Sequence, residues 1–130
     1  MSKKKGTRAE RELLHMFYDN GFGVLRTAGS GSITIPSCDL LVGKNGKVLA
    51  IECKFIKENI YIKKDRIKEL IDFSKKFGAE PLFGVKVMNK GWFFLNLDKL
   101  EKSKGNNYVI SYNLAKRKGI SFNDLINGIK

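Results

Sequence analysis

Three charged side chains around an Asn-Gly pair are the residues of this chain best suited to do chemistry: Asp39 before it, Glu52 and Lys54 after it. Two apolar runs flanking Asn45-Gly46 signal a β-hairpin closed by a two-residue type I′ turn. With Asn45 and Gly46 as the loop, Lys44 pairs with Lys47, and the same pairing continues outward until Asp39 stands opposite Glu52. Facing β-carbons in such a pair lie about 4.5 to 5.5 Å apart, so two carboxylates there repel. A hard divalent cation relieves that repulsion, since Mg²⁺ is held by one or two carboxylates together with waters and substrate phosphate oxygens. Alternation along the strand puts Lys54 on the face of Glu52 and turns Leu49, Ile51, Cys53 and Phe55 the other way, into the core. An ordinary solvated strand face would be mostly polar. Here the neighbours of Glu52 on its face are Val48 and Ala50, with Leu41 opposite.

The elements that must position these groups follow from pattern and punctuation. A first helix is expected from about Thr7 to Asn20, with Thr7 as cap and Gly21 as stop. Glu10 shares the stripe of Leu13, Leu14 and Phe17 and so faces inward, whereas Glu12 falls on the opposite side. An inward carboxylate needs a partner, and Glu10 serves either as the third residue of a capping box or as a further metal ligand. Phe22 to Thr27 reads as a strand, and the Gly/Ser-rich stretch from Ala28 to Ser37 as a loop. A second helix spans about Lys64 to Phe77, with Ile67, Leu70, Ile71, Ser74 and Phe77 on one face and Phe73 at its margin. Strands at Pro81 to Met88 and Trp92 to Leu95 flank the turn Asn89-Lys90-Gly91. The tail gives a short helix near Asp98 to Lys102, an extended piece at Tyr108 to Tyr112, and a last turn or two of helix opened by Ser121 with Asp124 three residues on. The order αβββαββ, with a small C-terminal addition over 97–130, predicts an α/β fold: a mixed sheet flanked by helices.

A chain of 130 residues with 42% hydrophobic residues is expected to form one domain with a real core, preceded by a basic arm at 1–5. No apolar run approaches a membrane span, and no apolar signal core follows the N-terminus, so a soluble intracellular, cytoplasmic protein is expected. Cys38 and Cys53 are too few for a disulfide framework and read as reduced thiols. Nucleophilic cysteine chemistry lacks a base, because His15 is the single histidine. The charge is the informative quantity: 25 Lys and Arg against 13 Asp and Glu give +12, which points to nucleic acid as the partner. Clusters at Lys3 to Lys5, Lys63-Lys64, Lys75-Lys76 and Lys116 to Lys118 suit backbone contacts that carry no sequence information. A non-catalytic basic DNA-binding module would share this charge, and metal-dependent cutting separates the two.

An Asp on one strand followed by Glu-x-Lys on the next is the pattern of the PD-(D/E)xK nucleases, and the chain more specifically resembles the archaeal Holliday junction resolvases. The likeness runs from Lys5 to Phe94: Lys5-Gly6, Ala9-Glu10-Arg11-Glu12-Leu13, Gly21-Phe22 with Arg26, Ala28-Gly29-Ser30, Asp39 with the hairpin, Ile51-Glu52-Cys53-Lys54, Phe73-Ser74, Phe77-Gly78 and Gly91-Trp92. One departure is Cys38, which stands where many members carry a proline before the Asp. The resemblance implies a restriction-endonuclease-like fold with a central mixed five-stranded sheet, a homodimer, and Mg²⁺- or Mn²⁺-dependent resolution of four-way DNA junctions by symmetric nicks. Another nuclease of the same pattern, for repair or restriction, is the nearest alternative. On the resemblance, Glu10, Asp39 and Glu52 would be acidic active-site residues and metal ligands, with Lys54 beside them. Arg11, Arg26 and Ser30 would contact the junction or help cleave it, and Phe73 and Phe77 would act in dimerisation or junction engagement. Lys5 in the basic arm and Ser32 in the Gly/Ser loop join the expected DNA contacts.

Overall fold

In the computed structural model, which describes residues 3–27 and 35–129, Asn45 and Gly46 both take positive φ, 54° and 83°. That is the backbone a two-residue type I′ turn requires. It joins β2 (Leu40–Lys44) to β3 (Lys47–Ile56) with Lys44 facing Lys47 and Leu40 facing Ile51, the register expected from the turn. β1 (Gly23–Arg26) pairs antiparallel with β2 at one edge. On its other side β3 pairs in parallel with β5 (Glu80–Val87), and β6 (Gly91–Asn96) closes the order β1-β2-β3-β5-β6.

A parallel pair needs a crossover. Here it is made by β4 (Asn59–Lys63) and the helix α2 (Lys64–Phe77), whose bounds match the expectation and whose end is capped by Gly78 in the left-handed region. β5 lies close beneath α1 (Lys3–Asp19): a β-carbon on Gly84 would stand 3.2 Å from both Ile51 Cγ2 and Phe94 Cε1 and 3.4 Å from Leu13 Cδ2.

Helices cover both faces. Leu49, Ile51 and Cys53 of β3 pack on one side with Leu13 and Phe17 of α1 and with Leu125 of α4 (Phe122–Asn127). Ala50 and Ile56 pack on the other with Ile67 and Leu70 of α2, Ile110 of β8 (Asn107–Ser111) and Ala115 of α3 (Tyr112–Lys118). Phe17 anchors the first core through edge contacts with Phe22 at 5.1 Å and Phe122 at 5.0 Å. The face carrying Glu52 is therefore also a core face, roofed by α2, rather than an open functional surface.

Several expectations are corrected. α1 begins at Lys3, so Thr7 lies inside it and cannot cap, and the Thr7–Glu10 capping box does not form. Lysine is a good helix former and Gly6 costs only about 1 kcal/mol, so nothing stops the helix from running back through the basic arm. Phe77 is 53% exposed instead of buried, because Ile67, Leu70 and Ser74 already cover the sheet. In place of a helix at Asp98 to Lys102 there is one 3₁₀ turn, Leu97–Lys99, and then β7 (Glu101–Lys102). Leu100 is extended, and the tail is drawn into a second sheet of order β4-β8-β7. The opening of α4 is as expected, with the Ser121 hydroxyl accepting from the Asp124 N–H.

Candidate active site

Asp39 stands immediately before β2, beyond the last ladder pair of Leu40 with Ile51, and its N–H donates to the carbonyl of Ile51, next to Glu52 in the chain, at 3.1 Å. Its carboxylate accepts from the Cys53 N–H at 2.8 Å. Thr27 secures the approach: its hydroxyl donates to the carbonyls of Cys38 and Asp39, and its N–H to the Asp39 carbonyl at 3.0 Å. The aspartate is thus held by backbone on two sides.

Glu52 is only 5% exposed, and it is not alone. Arg66 of α2 donates to both of its carboxylate oxygens, Nε to Oε2 at 3.0 Å and Nη2 to Oε1 at 2.8 Å. The same guanidinium donates to the Ser37 carbonyl at 2.7 Å and to Glu69 at 3.3 Å. Hydrogen bonding to Glu52, working against burial, raises its pKa further. Lys54 lies on the face of Glu52, with its Nζ 4.0 Å from Oε2.

Glu10 reaches across to Arg26 of β1, whose Nε donates to Oε1 at 2.9 Å, and this pair is the partner its inward position called for. Glu10 is close enough to Asp39 for its charge to be felt there. Asp39 is pushed up to about 7, by burial first, then by the charge of Glu52, with the Cys53 N–H opposing and Glu10 adding to the rise. Burial, reinforced by Asp39 and Glu52, lifts the Cys38 thiol to about 11, and Cys53 is raised well above its ordinary value by the same causes with Glu10 added. Both thiols stay protonated at neutral pH, so the donor set is oxygen alone, the set that hard cations take and soft ones do not.

Glu10, Asp39, Glu52, Lys54 and Arg26 are brought to one region. Among the described residues, however, no three His, Cys, Asp or Glu side chains stand close enough to hold a metal ion together. Two carboxylates, Asp39 and Glu52, suffice for Mg²⁺ when water and phosphate complete its shell. Lys5 lines a recess of about 560 Å³ with Phe55 and Lys57, at the far end of β3 from the turn. Arg11 is exposed on α1. Phe73 and Phe77 stack at 5.6 Å on α2. Ser30 and Ser32 lie outside the described residues.

Two features escaped the sequence reading. Arg66 lies on the Leu70 and Ser74 stripe of α2, and a charge on a buried stripe is a signal that a partner waits beneath it. Glu12, placed on the solvent side, accepts from Lys86 Nζ and Trp92 Nε1, each at 2.7 Å. Burial would raise its carboxyl, but those bonds and the Lys86 charge hold it below the usual range.

A family model described as archaeal Holliday junction resolvase matches residues 1–130. The crossover junction endodeoxyribonuclease Hjc of Archaeoglobus fulgidus is 39% identical over 105 residues, 80% of this chain and 77% of the relative. That of Sulfolobus acidocaldarius is 35% identical over 130 residues, covering 96% of this chain and 88% of the relative. The solved structure of A. fulgidus Hjc, a Holliday junction resolvase, superposes with a TM-score of 0.83 at 31% identity, over 95% of this chain and 96% of that one. A helix-flanked five-stranded sheet and these likenesses lead to one conclusion: the chain belongs to the archaeal Holliday junction resolvase family.

Proposed function

We propose that this protein is a crossover junction endodeoxyribonuclease, which binds four-way DNA as a homodimer and nicks opposed strands by hydrolysing phosphodiesters with a divalent cation, Mg²⁺ or Mn²⁺. The observation that carries this reading is that Asp39 bonds both chain neighbours of Glu52, its N–H donating to the Ile51 carbonyl and its carboxylate accepting from the Cys53 N–H, and that it rises to about 7 through burial and the Glu52 charge. Asp39 and Glu52 would hold the cation. When bound there, it supplies Lewis acidity, lowering the pKa of a water and polarising the scissile phosphate.

The chain's own residues do the rest. The Cys53 N–H fixes the rotation of the Asp39 carboxylate. Lys54, on the face of Glu52 and a quarter exposed, presents a compact ammonium to the attacking water or to the charge growing on the phosphate. Arg26 keeps Glu10 turned toward the acidic pair, where it adds negative charge at the rim. Lys5, Arg11 and Arg26 supply phosphate contacts, and the net charge of +12 favours DNA of any sequence. Ser30 and Ser32 complete the DNA-contact set. Phe77, half exposed and stacked on Phe73, offers an apolar patch for a second copy. A two-fold dimer matches the near two-fold form of a four-way junction.

Nicking of a synthetic four-way junction, a flap and a linear duplex, each in Mg²⁺ and in EDTA, tests the reading. Cleavage confined to the junction and to Mg²⁺ is the expected result. Equal cutting of linear duplex would point to a general nuclease of the same pattern, and binding without cutting in any metal would leave a DNA-binding module.

A further inference from the structure

Glu52 carries its charge almost out of water, and a buried charge must be compensated at all times. Lys54, 4.0 Å away, is too distant to do this alone. Arg66 does it, taking both carboxylate oxygens, which are the atoms a divalent cation would need. Its side chain is 27% exposed and has two further acceptors, the Ser37 carbonyl and Glu69, so the guanidinium can leave Glu52 without being stranded in a dry site.

We propose that Arg66 is a built-in counter-cation of the acidic pair, which competes with divalent metal for Glu52 and so weakens metal binding in the absence of DNA. This rests on the reading that Asp39 and Glu52 hold the metal. With a cation held at Glu52, the guanidinium would give up its bonds to that carboxylate and keep those to the Ser37 carbonyl and Glu69. Arg66 acts through Glu52 and is a positioning residue.

Mn²⁺ titrations of the DNA-free protein, followed by electron paramagnetic resonance of the unbound ion, test the proposal on wild type, Arg66→Gln, Arg66→Lys and Glu52→Gln. Near-ultraviolet circular dichroism in EDTA verifies that each is folded. Arg66→Gln is expected to bind Mn²⁺ more tightly by on the order of tenfold, the effect of removing one adjacent positive charge. Arg66→Lys, which keeps the charge, is expected to gain less, and Glu52→Gln to lose the site. A merely structural ion pair would give weaker binding in Arg66→Gln, not tighter. Unchanged or weaker binding there, with Glu52→Gln still abolishing the site, overturns the proposal and leaves the metal assignment standing, as does an equal gain in Arg66→Lys. Absence of any Glu52-dependent Mn²⁺ binding overturns both.

Discussion

Replacing Glu52 by Gln keeps the shape of the side chain and removes its charge, and the group that should respond is Asp39. Burial is the larger cause of its rise from 3.8 to about 7, and the Glu52 charge is the next. Two unit charges about 5 Å apart, the spacing of facing residues in an antiparallel pair, interact by about 3 kcal/mol at an effective permittivity of about 20. Arg66, bonded to Glu52 at 2.8 Å, cancels a good part of that field and leaves about 1 to 2 kcal/mol, or roughly one pKa unit. Glu52→Gln is therefore expected to lower the Asp39 pKa by about one unit, while burial keeps it above that of a free aspartate. A carboxyl whose folded pKa exceeds its unfolded value binds its proton more tightly in the fold. Its contribution to stability is full below about 3.8, declines as pH rises, and is gone above about 7. In EDTA, the melting temperature of Asp39→Asn relative to wild type should thus improve across that window. Carboxyl-carbon NMR titration of aspartate-labelled wild type and Glu52→Gln reads the shift directly. An Asp39 that titrates at the same pH in both proteins, or near 4 in wild type, would refute the electrostatic reasoning.

Other perturbations probe the supports of the site. Arg26→Ala should cost about 1 kcal/mol of stability and slow single-turnover nicking by on the order of tenfold; because Arg26 acts partly through Glu10, the Glu10→Gln double variant should lose less than the sum, and strict additivity would argue against that coupling. Phe77→Glu should leave the fold within about 0.5 kcal/mol of wild type, since the residue is half exposed, and convert a dimer to a monomer in sedimentation. Gly84→Ala should destabilise by about 1 to 3 kcal/mol in urea, because its methyl would meet Ile51, Phe94 and Leu13; an unchanged midpoint would contradict that packing.

What could be read from residue order alone was whatever depended on local chemistry. Asn45-Gly46 dictates a turn, and a turn dictates register, from Lys44 facing Lys47 to Leu40 facing Ile51. The ladder stops one step short of the expected pair of Asp39 with Glu52, and Asp39 instead bonds Ile51 and Cys53 on either side of Glu52. The bounds of α2 followed in the same way from its stripe and Gly78. What failed depended on distant contacts. Nothing near Asn59–Lys63 shows that it will pair with Asn107–Ser111, because that ladder joins segments far apart in the chain. Ala50 was legible as an apolar neighbour of Glu52, but not that α2 would cover it. Glu10 was legible as inward but not as the partner of Arg26, which lies on another element. Thr7 misled because a cap residue marks a helix start only where nothing before it can be helical, and a run of lysines can.

The most direct test separates binding from cutting at the acidic pair. Asp39→Asn and Glu52→Gln should bind a synthetic four-way junction about as tightly as wild type, since neither removes a positive charge, and in saturating Mg²⁺ should nick it on the order of a thousandfold more slowly. Nicking by either variant within a few-fold of the wild-type rate, on junction fully bound, would contradict the assignment of these two carboxylates to the chemistry.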